Sequence, residues 1–170
     1  MRDLPFCNVR NKAMEKNTFD KRFAKTIFQY IQSYLSDKKT AHQSIKVVYL
    51  FGSVLDSNKF KSASDIDIAF LVDRDLYKED PLLASSPSYL LATEIGLMLD
   101  RQTDVTILNS ASLETAYQII VTGELMYECD NNLRIEYEIA LKGLYFDFKS
   151  FLNRLRSQHR SRLNGDTRAL

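Results

Sequence analysis

The sequence predicts one α/β (α+β) domain, a small mixed β-sheet flanked by helices and followed by a long C-terminal helix. Three observations predict it. Ile45–Phe51 and Ile66–Val72 are short apolar runs bounded by polar residues, the pattern of buried strands. Thr103–Leu108 alternates with period two and is β-branched, the pattern of a third strand. Between and after these runs, apolar residues recur at steps of three and four, the period of amphipathic helices.

Residues 1–17 mix charges and Pro5 without any period and read as a flexible arm. Residues 18–160 read as the single domain, and 161–170 as a loose basic tail. Phe23, Ile27, Tyr30, Ile31 and Tyr34 share one face of a helix running to about Asp37. A polar loop, DKKTAHQS, leads to the first strand, which ends at Gly52-Ser53. Residues 54–64 read as a short helix and loop. After the second strand, Asp73–Ser88 is rich in Asp, Pro and Ser and reads as an exposed connection. Leu91, Ile95 and Met98 then mark a helix from Tyr89 to Leu99.

Ser112–Val121 forms another amphipathic helix, with Gly123 where a C-terminal cap belongs. Leu125–Glu128 reads as a short edge strand. The last helix spans about Leu133–Arg156. Its stripe of Tyr137, Leu141, Leu144, Phe148, Phe151 and Leu155 reads as core packing or as an interface for a partner helix.

Composition narrows the function. The chain has 170 residues, 45% of them hydrophobic and 26% charged, a balance able to bury a core. Its 23 basic and 22 acidic residues leave a net charge of +1, against a protein built mainly to coat nucleic acid. The only His are His42 and His159, and the only Cys are Cys7 and Cys129. None has a partner at ligand spacing, which argues against structural zinc and against a disulfide framework. No secretory h-region is present, and no apolar run is expected to reach the ~18 residues of a membrane span. A cytoplasmic setting is the expectation, and catalysis is expected to run on carboxylates.

The informative unit is Gly52-Ser53, eleven residues, then Asp65-Ile66-Asp67. In an extended segment, residues two apart point to one side, so the Asp65 and Asp67 carboxylates project together. Like charges that close call for a cation or a proton, and Mg²⁺ is the natural hard partner for oxygen ligands. Asp104 adds a third carboxylate if its strand lies alongside, enough for two metal ions. A strand ending in Gly-Ser turns backbone N–H groups toward a phosphate, with the Ser53 hydroxyl as a further donor. Ser64, Lys59 and Lys61 join Gly52 and Ser53 as nucleotide- or phosphate-binding candidates, although exposed loop lysines are more commonly solvated. Asp67 interrupts an apolar strand, where an unpartnered carboxylate is costly, and this favours a functional reading over a solvated turn.

This Gly-Ser…Asp-x-Asp pattern with a third acidic strand residue resembles the polymerase-β-type nucleotidyltransferase superfamily. Within it the chain is most similar to the minimal nucleotidyltransferase (MNT) antitoxins of the MntA type, which pair with HEPN toxins. Arg101–Val105, Val121–Glu128 and Tyr145–Lys149 resemble that family's third-acid strand, hairpin segment and C-terminal helix, so the resemblance spans roughly residues 45–155. It implies the nucleotidyltransferase fold and transfer of AMP from Mg-ATP to a tyrosine hydroxyl of a HEPN RNase toxin, silencing it. Asp65 and Asp67 would ligate both metal ions, and Asp104 would bind one and help deprotonate the acceptor.

Two positions depart from the family pattern. The Gly-Ser to Asp-x-Asp loop has eleven residues where ten are usual, and Val54 and Ser57 stand where Arg and Gly are common. Two alternatives therefore stay open: an antibiotic-type small-molecule nucleotidyltransferase, and a non-catalytic antitoxin acting by binding alone. Arg154 with His159 formally fits a HEPN RNase motif, but three strands contradict an all-helical HEPN bundle. The basic end (Arg154, Arg156, Arg160, Arg162) reads as a solvated helix face or as a surface for an acidic toxin or nucleic acid. A homo- or hetero-oligomer is compatible with the chain, and no membrane partner is expected.

Overall fold

The computed structural model describes residues 21–36, 44–56, 59–61 and 63–166, with the side chains of 21, 22, 152 and 155–166 left aside. The expected N-terminal arm, most of the loop before the first strand, and the last four residues lie outside the described residues. So do the side chains of Leu155, Arg156, His159, Arg160 and Arg162.

The order of elements is α1 (Lys21–Ser36), β1 (Ile45–Phe51), a 3₁₀ turn (Gly52–Leu55), β2 (Ile66–Val72), α2 (Arg74–Glu79) and α3 (Pro81–Leu99). Then follow β3 (Thr103–Ile107), α4 (Leu113–Thr122), β4 (Glu124–Glu128) and α5 (Asn131–Asp166). The four strands form one mixed sheet ordered β3-β2-β1-β4. β1 is antiparallel to both β2 and β4, while β2 and β3 run parallel. The C-terminal end of β1 therefore lies at the same sheet edge as the first residues of β2, β3 and β4.

Each sheet face buries its own layer. Val48, Leu50, Ile66, Ile68 and Phe70 pack with Ile27 and Ile31 of α1 and Leu91 and Ile95 of α3. Val47, Tyr49, Ala69 and Leu71 pack with Ile119 of α4 and Leu141 of α5. A register shift between Ile45 and Val47 breaks strict alternation, so Ile45 and Val48 share a face although three residues apart.

The segment expected to be an exposed connection is instead helical. Asp73 caps α2 by accepting from the N–H groups of Asp75 and Leu76, and Asp80 caps α3 from Leu82 and Leu83, with Pro81 at its first turn. α3 thus starts eight residues before Tyr89 and buries Ala84, Ser85 and Ser88. Pro87 sits inside it without an N–H for the Leu83 carbonyl, and the Ser86 hydroxyl donates to that carbonyl at 3.0 Å instead. α3 is also long and apolar enough, by length and composition, to cross a bilayer, which corrects the expectation that no segment reaches that length. Its Leu91–Ile95 side is packed into the core.

The aromatic stripe of α5 is only partly core. Tyr137 and Leu141 pack on the sheet, whereas Leu144, Phe148 and Phe151 are exposed. The helix continues to Asp166, beyond the Arg156 end read from periodicity.

Candidate active site

The site forms where β1 ends and β2 and β3 begin. β1 must turn sharply there to reach the 3₁₀ turn, and Gly52 does so at φ +76°, a conformation that L side chains rarely adopt. Close approach gives a second reason for glycine. A Cβ at position 52 would collide with the Asp67 carboxylate, which is seated directly against this backbone. The Ser53 N–H donates to the Asp67 carboxylate, so the Gly-Ser turn holds the second Asp of Asp65-x-Asp67 in place.

The parallel pairing of β2 and β3 sets Asp67 directly beside Asp104, which fulfils the condition for a third carboxylate. Asp67 shares its face with Ala69 and Leu71, toward α4 and α5. Asp65 lies one residue before β2, half-exposed, and Asp104 is exposed. Burial pushes the Asp67 carboxyl up, and the charges of Asp104 and Asp65 push it further; the Ser53 N–H opposes them without cancelling them. Asp67 therefore stands at one sheet edge within the field of two further carboxylates.

Oxygen-only donors of this kind suit a hard divalent cation. Among the described residues, no three His, Cys, Asp or Glu side chains stand close enough together to enclose an ion as they are. The fit rests on the paired Asp67 and Asp104, on the repulsion Asp67 experiences, and on the glycine cradle that leaves Asp67 room.

The remaining candidates occupy the turn before β2. Ser64 Oγ accepts from the Lys61 N–H at 2.9 Å, and Lys59 Nζ pairs with Asp56 at 3.3 Å. Among the described residues, neither Lys59 nor Lys61 forms an ion pair with Asp65, Asp67 or Asp104. Arg101 fastens this turn. Its guanidinium donates to the Lys61 and Ser64 carbonyls at 2.7 and 3.2 Å and lies over the Phe23 and Phe60 rings. Sequence reading did not assign Arg101 this role, although its place two residues before β3 was a usable signal.

Glu124 was also missed. It opens β4 beside Leu50, at the same edge as the acids, and burial raises its carboxyl. A glutamate after a helix-capping glycine looks solvent-facing in sequence, so nothing marked it.

The family model for polymerase beta nucleotidyltransferases matches residues 29–132, more than half of the chain. No curated protein sequence matches. Several solved structures share the fold. A toxin–antitoxin structure with AMP-PNP is 21% identical, with a TM-score of 0.54 over 77% of this chain and 96% of that one. A tri-AMPylated Shewanella oneidensis HEPN toxin in complex with MNT antitoxin is 21% identical, with a TM-score of 0.53 over 79% and 97%. The toxin–antitoxin MntA-HepT is 20% identical, with a TM-score of 0.52 over 79% and 97%. At these identities the likeness is one of fold.

Proposed function

Because the chain belongs to the polymerase beta nucleotidyltransferase family, we propose that it transfers AMP from ATP to a tyrosine hydroxyl of a HEPN-type toxin and so acts as that toxin's antitoxin. The observation that carries the chemistry is Asp67, seated against Gly52, held by the Ser53 N–H and paired in register with Asp104. The partner class rests on the toxin–antitoxin assemblies whose fold the chain shares.

In this reading the acceptor oxygen bonds to the α-phosphorus of ATP, and the bond from that phosphorus to the bridging oxygen breaks. Pyrophosphate leaves with the electron pair, and the exposed Asp104 takes the acceptor's proton. Asp65, Asp67 and Asp104 would hold Mg²⁺, two ions in the full arrangement, which when bound neutralises the carboxylates and the triphosphate charge. Gly52 and Ser53 orient Asp67 through the Ser53 N–H, and the Ser53 hydroxyl would serve as a donor to the phosphates. Arg101 ties the Lys61 and Ser64 carbonyls to the Phe23 ring of α1.

The test is incubation with α-labelled ATP, Mg²⁺ and a HEPN toxin encoded beside the gene. Label is expected on a toxin tyrosine and is expected to vanish for the Asp65→Ala/Asp67→Ala double variant with circular dichroism unchanged. Unlabelled toxin that is nonetheless neutralised by that double variant would establish binding alone. Label on an aminoglycoside and none on the toxin would establish the small-molecule enzyme.

A further inference from the structure

We infer that the exposed face of α3 is a homodimer interface, on which a second copy of this chain packs its own α3 antiparallel across a two-fold axis. In the 19 residues of α3 the only acidic or basic side chain is Glu94, and it accepts a hydrogen bond from Tyr30 of α1 at 2.7 Å. The hydroxyls that share the outer face are also occupied. Ser86 donates to the Leu83 carbonyl and Thr93 to the Tyr89 carbonyl, so neither needs water. What remains outward is apolar: Leu82 is 80% exposed, Leu83 71%, Leu90 58% and Leu97 79%, with Tyr89 and Met98 half-exposed.

A face of this size and composition is uncommon on a lone soluble domain. Two arguments select a second copy as its occupant. The first is spacing. Leu83, Leu90 and Leu97 are seven residues apart, the repeat that keeps a seam facing another helix, and they are symmetric about Leu90. An antiparallel partner therefore places Leu90 on Leu90 and Leu83 on Leu97, as a two-fold interface requires of a self-complementary patch. The register that sets Leu90 on Leu90 sets Glu94 opposite Ser86 rather than opposite itself, so no like charges meet across that axis.

The second argument is area. The four leucines, which lie within about a third of the helix circumference, offer on the order of 500 Å², a large part of the ~800 Å² that each partner contributes to a standard interface. The carboxylate edge lies at the sheet end where β2 and β3 begin and belongs to the opposite layer, so a dimer through α3 leaves it open for a hydroxyl-bearing partner.

Sedimentation velocity of the full chain should give twice the monomer mass, and Leu90→Asp should halve it while leaving circular dichroism unchanged. Oxidative crosslinking adds the geometry. Leu90→Cys should crosslink alone above the wild-type background, whereas Leu83→Cys should crosslink only when mixed with Leu97→Cys. A monomeric wild type, a dimer that survives Leu90→Asp, or Leu83→Cys crosslinking to itself would each overturn the inference. So would capture of the wild type, but not Leu90→Asp, on phosphatidylcholine vesicles, which would make α3 a membrane-facing helix.

Discussion

Two groups of charges lie at opposite ends of the same sheet and are treated in opposite ways. At the end of β4, Arg134 donates to Glu128 and Glu138 at 2.6 Å each, and Glu138 also accepts from Tyr49 at 2.9 Å and Lys142 at 3.2 Å. Every charge there has an opposite or a donor. At the other end, Asp104 and Asp65 both repel Asp67, whose carboxylate accepts the Ser53 backbone N–H. The first group stabilises the packing of α5 on the sheet. The second raises the free energy of the empty fold, and such a cluster persists where function requires a cation and a phosphate between the charges.

The comparison breaks most sharply at Gly52. Gly52→Ala forces a side chain into a left-handed conformation and against the Asp67 carboxylate. Displacing a reacting-site group by about 1 Å is enough for a loss on the order of 10²-fold in AMP transfer, against about 1 kcal/mol of stability. The rate of toxin labelling and the urea midpoint read the two effects separately. A variant with full activity would detach the glycine cradle from the chemistry.

Arg134→Ala should do the reverse. It takes Arg134 from Glu128 and leaves Glu138 with Tyr49 and Lys142 alone, both carboxylates being largely buried at 10% and 15% exposed, and should cost about 3 kcal/mol. Labelling per folded molecule should stay unchanged. Thermal or urea unfolding measures the first effect, and active-site titration of the folded fraction measures the second.

How far this division was legible in the sequence depends on which force set each residue. Asp67 could be found because a carboxylate between Ile66 and Ile68 contradicts an otherwise apolar strand, and contradictions of that kind carry information. The ends of β1 and β2 were legible too, since burial on two faces leaves continuous apolar runs. The first half of α3 was not. Pro87 and its neighbouring serines look like a loop until Ser86 is seen donating to the carbonyl that Pro87 abandons. The paired cluster was also invisible, because Tyr49 and Glu138 meet only through tertiary packing, 89 residues apart. In the α5 stripe, periodicity placed Leu144 and Phe148 on one face but could not say where the sheet beneath them stops.

The two charge groups should also give stability opposite pH slopes. Burial works against ionisation of Glu138, but Arg134, Tyr49 and Lys142 outweigh it and hold the carboxyl below its ordinary range. Its contribution is therefore present above about pH 4 and lost as pH falls through the lowered value. Asp67 is raised by burial, then by Asp104 and Asp65. It favours the fold below about pH 4, and that advantage is lost as pH rises through the raised value. In chelator, Asp67→Asn should match the wild type in acid and exceed it at neutral pH, read from urea midpoints. Added Mg²⁺ should raise the wild-type midpoint at neutral pH and leave that of Asp67→Asn nearly unchanged.

The smallest effect marks where the acidic edge stops. Asp100 ends α3 in a left-handed conformation at φ 50°, and its N–H donates to the Gly96 carbonyl. It lies one residue before Arg101 and four before Asp104, close enough in sequence to belong to either region. If it serves only as a helix terminus, Asp100→Gly removes backbone strain and raises stability by about 0.5 kcal/mol, while toxin labelling stays constant. The cap hydrogen bond is made by the backbone, so the substitution keeps it. A loss of labelling at unchanged or increased stability would instead extend the functional acids to Asp100. A loss of stability would show that its carboxylate, rather than its backbone, secures the turn into β3.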